Sequence, residues 1–157
     1  MTAWKSENIK ILKASDTYTL AECLKVREKV FIIEKGVSPQ IEIDEYDCIS
    51  NTHPPQKCDH FIVKFNDLSV GTVRCLYISE NTLRIQRLCF LDRYRGQGFG
   101  KCVMQYLENY YKALGIKTIE LNAKYEAAEF YRKCGYQQIS AVFIEANVEH
   151  IKMQKEI

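Results

Sequence analysis

The stretch Arg95-Gly96-Gln97-Gly98-Phe99-Gly100-Lys101 limits most tightly what this chain can become. It follows an apolar-rich run, Leu83 to Leu91. It opens a segment in which Phe99, Val103, Tyr106, Leu107, Tyr110 and Leu114 recur at helical spacing before Gly115. The order is strand, glycine-rich turn, helix. A helix start leaves backbone N–H groups without intrahelical partners and carries the positive end of the dipole. Glycines let the main chain come close to a ligand, so the turn suits a phosphate or pyrophosphate. Two phosphate loops are excluded. A Walker A loop needs G-x-x-x-x-G-K-[ST], but Arg95 stands at its first glycine and Cys102 at its hydroxyl position. The dinucleotide fingerprint needs G-x-G-x-x-G, whereas Gly96, Gly98 and Gly100 alternate. What remains is R-x-x-G-x-G on Arg95, Gly98 and Gly100, or else a plain, closely packed helix entrance.

A chain of 157 residues, 46% hydrophobic and 27% charged, is expected to form one globular domain over 1–157. No apolar run approaches the roughly 18–20 residues of a membrane span, and Met1–Glu7 contains no signal-peptide core. A net charge of +2 without a basic block argues against nucleic acid. Seven cysteines at 23, 48, 58, 75, 89, 102 and 134, with no C-x-x-C pair, read as reduced thiols of a cytoplasmic protein that binds no metal.

Ile9–Lys13 reads as a strand. Ser15 and Asp16 offer caps, and Thr19-x-x-Glu22 a capping box, for a helix running to Glu34 and stopping near Gly36. Val37 to Lys57 is a long loop holding all three prolines and the acids Glu42, Asp44, Glu45 and Asp47. His60–Phe65, Ser69–Ile78 and Leu83–Leu91 form an antiparallel meander, with turns at Asn66-Asp67-Leu68 and Glu80-Asn81. The central helix then crosses over to a strand at Lys117–Ala123, which must lie parallel to its predecessor. A short helix from about Tyr125 to Cys134 and strands near Tyr136–Ser140 and His150–Gln154 complete the chain.

This β-α-β-β-β-α-β-α-β order, with R-x-x-G-x-G after the fourth strand, resembles the GNAT acetyltransferase superfamily over nearly the whole chain. Leu121-Asn122-Ala123 followed by Ala128-x-Phe130-Tyr131-x-x-Cys134-Gly135-Tyr136 is similar to that family's second signature. The resemblance implies an α/β (α+β) single-domain fold with a mixed central sheet of about six to seven strands flanked by helices. It implies acetyl-CoA as co-substrate. Leu88, Cys89 and Phe90 would then give backbone groups to the pantetheine arm. Gly96, Gln97, Gly98, Phe99, Gly100 and Lys101 would take the pyrophosphate, with charge from Arg95 and Lys101. Asn122, Phe130 and Tyr131 would border the cofactor, and Tyr131 would protonate the leaving thiolate. As plain alternatives, Asn122 is a strand-end turn residue and Tyr131 a half-buried helix aromatic.

Acyl transfer to nitrogen also needs a base. Glu34, Asp44, Glu145, His60 and His150 are candidates, with Glu34 and His150 carried forward; a lone His on an apolar strand, such as His60, is commonly a structural group. Val26-Arg27-x-x-Val30-Phe31-x-x-Glu34-x-x-Val37, with Glu42-x-Asp44-x-x-Asp47, and Phe143-x-Glu145-Ala146-x-x-x-His150-x-x-Met153 are similar to a subgroup of compact small-molecule acetyltransferases. The apicomplexan-type glucosamine 6-phosphate N-acetyltransferases resemble that subgroup. The acceptor expected from this resemblance is glucosamine 6-phosphate, its phosphate held among Arg27, Arg74, Arg87, Lys124 and His150, with Asn122 also bordering the acceptor. Another small amine, a protein N-terminus or lysine, and a non-catalytic coenzyme-A module are the alternatives. A homodimer through a C-terminal edge strand follows by analogy alone. Ser50 to Lys57 reads as an insertion.

Overall fold

The computed structural model describes residues 7–48 and 57–157; apart from Lys57, the insertion expected at Ser50 to Lys57 lies outside them. Eight strands form one sheet: β1 (Ile9–Lys13), β2 (Cys58–Phe65), β3 (Leu68–Tyr77), β4 (Thr82–Phe90), β5 (Thr118–Lys124), β6 (Gln137–Gln138), β7 (Phe143–Glu145) and β8 (Val148–Glu156). Their spatial order is β1-β2-β3-β4-β5-β8-β6, and β7 shares the edge of β8 with β6. Every pairing is antiparallel except β4 with β5. The helices are α1 (Thr17–Arg27), the short α2 (Pro39–Glu42), α3 (Phe99–Ala113) and α4 (Ala128–Lys133). Among the described residues no helix is long and apolar enough to cross a membrane.

Local chemistry sets the boundaries. The Asp16 carboxylate accepts the Thr19 N–H at 2.7 Å, so Asp16 caps α1 and the expected Thr19 box is not the start. From Glu28 to Glu34 the helix expected to run on widens into a π-helix. Two-residue turns with both central residues at positive φ close two hairpins: Asn66-Asp67 between β2 and β3, and Ala146-Asn147 between β7 and β8. The second hairpin makes β7, a strand the sequence reading lacked, and the strand expected at Tyr136–Ser140 shrinks to Gln137–Gln138.

The two sheet faces carry different cargo. On one, Phe61, Val73, Leu83, Ile119 and Met153 pack against Val103, Leu107 and Tyr111 of α3. On the other, Ile62 and Cys89 pack against Cys23 and Val26 of α1 and against Val30. A bulge in β4 reconciles the two. Thr72 faces Cys89 and Arg74 faces Gln86, so Arg87 and Leu88 both stand opposite Val73, with Arg87 at φ 56°. The extra residue switches which side chains face α3, from Leu83 and Ile85 before the bulge to Leu88 and Phe90 after it. It also bends the strand away from its parallel neighbour. Only Thr82–Ile85 pair with Thr118–Leu121; beyond Leu121, β5 continues on β8 alone.

Candidate active site

Where β4 and β5 part, no strand among the described residues lies beside one edge of Leu88, Cys89 and Phe90, and Asn122 is the first β5 residue past the split. The glycine turn lies directly downstream. Gly96 and Gly98 adopt left-handed φ of 69° and 88°, and Gly98 caps α3. A side chain at Gly98 would strain that conformation. At Gly100 the constraint is contact: a Cβ would meet Phe130 Cζ of α4 at 2.9 Å. The start of α3 thus presents its unpaired N–H groups at the mouth of the split. Among the residues expected there, Lys101 projects from an exposed position, while Gln97 donates its amide to the Arg93 carbonyl at 2.7 Å and stiffens the turn.

Arg95 is engaged otherwise than expected. Its Nε donates to the Phe90 carbonyl at 2.9 Å, and its terminal nitrogens grip Glu34 at 2.5 and 2.7 Å. The guanidinium braces the turn to the end of β4 and to the π-helix rather than standing free for phosphate. The same contact corrects the role given to Glu34. The Arg95 hydrogen bond holds its carboxyl below the usual range and occupies both oxygens, so Glu34 is a brace and a poor base.

Tyr131 follows Phe130 on α4, their rings edge to face at 4.9 Å, with Tyr136 6.1 Å beyond. Burial pushes its phenol up to about 12, so at neutral pH it keeps its proton. Cys89, on the split itself, is likewise pushed up to about 12 by burial and carries no thiolate.

The acidic loop is neutralised from within. Arg27 and Arg74 are each 1% exposed. Arg27 donates from Nε to Glu42 at 2.7 Å and from its terminal nitrogens to Asp47 at 2.6 and 3.0 Å. Arg74 grips Asp44 at 2.6 and 2.8 Å, reaches Asp47 at 3.2 Å, and donates to Gln86. Neither guanidinium has a free fork for a substrate phosphate, which overturns that expectation for both. Arg87, on the bulge, is less well served. Its Nε lies 3.2 Å from Glu42, too misaligned for a hydrogen bond, and one terminal nitrogen is 3.4 Å from the Ile41 and Glu42 carbonyls. His60 Nε2 sits 2.8 Å from the Tyr46 carbonyl, and burial lowers its basicity, so it pins the loop as a neutral group.

Past the split, the polar face of β5, β7 and β8 gathers a second set. Asn122 Nδ2 is 3.5 Å from Glu145 on β7, and Glu145 is 3.7 Å from His150 Nε2 on β8. Lys124 stands opposite His150 in register, half buried, its ammonium disfavoured by burial and by Lys35. Beside them the buried Glu120 accepts from Arg84 at 2.6 Å and meets Lys152 at 3.2 Å. This last trio was missed; a lone Glu at an inward position of an apolar strand was its only sequence signal. Among the described residues no cluster of His, Cys, Asp and Glu could hold a metal ion.

A family model for an acetyltransferase (GNAT) domain matches residues 42–157. The uncharacterized Bacillus subtilis (strain 168) protein YyaT is 38% identical over 138 residues, covering 88% of this chain and 89% of its own. A Lactobacillus plantarum crystal structure, 25% identical, superposes with a TM-score of 0.85 over 94% of this chain and 97% of that one. A GNAT family acetyltransferase from Elizabethkingia anophelis, with acetyl-CoA bound, shares the fold at 14% identity, with a TM-score of 0.65 over 96% and 99% of the two chains.

Proposed function

This chain belongs to the GNAT acetyltransferase family, and from that premise we propose that it moves an acetyl group from acetyl-CoA to the primary amine of a small molecule. The observation that carries the proposal is the junction of the β4–β5 split with the glycine turn. A pantetheine arm needs an unpaired strand edge, and Leu88–Phe90 present one. A pyrophosphate needs converging N–H donors without side chains in the way, and Gly98 through Lys101 present those. Acetyl-CoA supplies an activated acyl group whose leaving atom is a thiolate. Phe130 packs directly on Gly100 at the start of α3, and Tyr131 beside it holds the proton which that thiolate takes.

Glucosamine 6-phosphate rests on the sequence resemblance alone. Of the residues expected to hold its phosphate, Arg87 and Lys124 remain; Arg27 and Arg74 serve the loop, and His150 is turned to Glu145. The test is release of coenzyme-A thiol from acetyl-CoA with glucosamine 6-phosphate, spermidine, simple aryl amines and a peptide as separate acceptors. Acceptor-dependent release with one of the small amines is the expected result. Release with the peptide alone would move the acceptor to protein, and binding without release would leave a coenzyme-A-binding module.

A further inference from the structure

We propose that Glu145 and His150 act together as the proton acceptor for the incoming ammonium, with Asn122 holding Glu145 at the point where β4 and β5 part. The proposal rests on the acetyltransferase reading above and names the base that reading leaves open.

Three strands bring the group together. His150 on β8 pairs in register with Phe143 of β7, whose ring stacks on the imidazole at 6.0 Å and 24°. Nδ1 lies 2.8 Å from the Val148 carbonyl oxygen. A carbonyl can only accept, so Nδ1 carries a proton and, in the neutral ring, Nε2 carries the lone pair. That lone pair faces a carboxylate oxygen of Glu145 at 3.7 Å, too far for a closed hydrogen bond. Here two acceptors, the imidazole lone pair and the carboxylate, are turned toward one position. Glu145 is 52% exposed on its side chain, so an ammonium can reach it from solvent, while its other oxygen is 3.5 Å from Asn122 Nδ2. Asn122 follows Leu121, the last residue of β5 paired with β4, so the pair is anchored beside the opening assigned to the thioester.

Lys124 stands opposite His150 on β5, with Lys35 and Glu126 acting on its ammonium, and Lys152 stands two residues along β8, held 3.2 Å from Glu120. Lys124 repels an arriving ammonium, and Glu145 is the carboxylate that offsets it. The ammonium gives one proton to the Glu145–His150 pair, which passes it to water. The freed nitrogen lone pair forms the C–N bond as the C–S bond breaks. The thiolate takes a proton from Tyr131, which regains one as the nitrogen loses its second. One proton is released overall.

The test compares the full chain with Glu145→Gln, His150→Gln and His150→Ala, using an amine that the parent protein acetylates. Turnover is followed from about pH 5.5 to 9, beside acetyl-CoA affinity and melting temperature. Glu145→Gln, at a half-exposed position, is expected to keep fold and acetyl-CoA affinity, lower kcat about tenfold and move the acid limb of the rate profile. His150→Gln is expected to lose about a hundredfold or more in kcat, and added imidazole to restore part of the turnover of His150→Ala. Should His150 variants unfold, Glu145→Gln decides alone. Folded variants that bind acetyl-CoA, stay within about twofold of parental kcat and keep the parental acid limb would overturn the proposal. A parent that binds acetyl-CoA yet acetylates no amine would remove it too, and that failure belongs to the broader reading because the parent itself is silent.

Discussion

At Gly100 a single hydrogen atom separates two elements that must meet, since an alanine Cβ would sit 2.9 Å from the tip of the Phe130 ring. That ring is wedged against Tyr131 and has little freedom to yield. Gly100→Ala is therefore expected to cost about 1–3 kcal/mol of stability through overpacking and to weaken acetyl-CoA binding, as denaturant melts and calorimetry would show. At Glu34 the reasoning concerns charge. Its carboxylate grips Arg95 beside the turn assigned to the pyrophosphate. Glu34→Gln removes a negative charge facing an anionic ligand and releases the guanidinium fork. The expected outcome is several-fold tighter acetyl-CoA with kcat preserved; a large fall in kcat would restore Glu34 as the base. Tyr131→Phe keeps the ring packing and removes only the proton, so kcat should fall at least tenfold with acetyl-CoA affinity unchanged. A fully active variant would make Tyr131 a packing residue.

Between α1, α2 and the bulged β4, the acidic loop is held by charge rather than by a hydrophobic face. Asp47 shows how. Burial alone would raise its carboxyl, but hydrogen bonding and charge from Arg27, with Arg74 behind, outweigh that and leave it lowered. Asp44 follows the same balance against Arg74. A carboxyl lowered on folding adds stability that is full above its unfolded value, near 4, and is lost as pH falls through the folded value. The loop should therefore detach on acidification below about pH 4, with the rest of the sheet following. Asp47→Asn leaves Arg27 buried with one carboxylate fewer, at a cost of about 3 kcal/mol near neutrality. It should also flatten the acid side of the stability profile, and acid titrations of both proteins by circular dichroism would read the difference. The acidic run was plain in the sequence, yet its partners were not. Arg27 and Arg74 lie 20 and 27 residues from Asp47, and only the folded sheet shows that they are used up.

Across the whole molecule, the legible parts are those written locally. The glycine turn, the amphipathic α3 and the parallel crossover follow from short-range pattern, and β4 beside β5 is where they place it. β7 escaped because three residues and an Ala-Asn turn give no periodicity to read. The meeting of Asn122, Glu145 and His150 escaped because it depends on the register of β8, which no local signal sets. The same register explains how the molecule would respond to its ligand. Strands β1–β4 with α1 form one half, and β5–β8 with α4 the other. Among the described residues, the ladder between the strands of the two halves is the four-residue pairing of Thr82–Ile85 with Thr118–Leu121, supplemented by α3 beneath. A ligand seated in the split touches both halves and binds only while they are together, so its binding energy adds to global stability. At a hundred times its dissociation constant, acetyl-CoA should contribute about 2.7 kcal/mol, which for a chain of this size is a rise of roughly 5–10 °C in melting temperature. Gly98→Glu, which places a carboxylate and a strained backbone in the pyrophosphate turn, should abolish that rise. An equal rise in parent and variant would put the coenzyme somewhere other than the split.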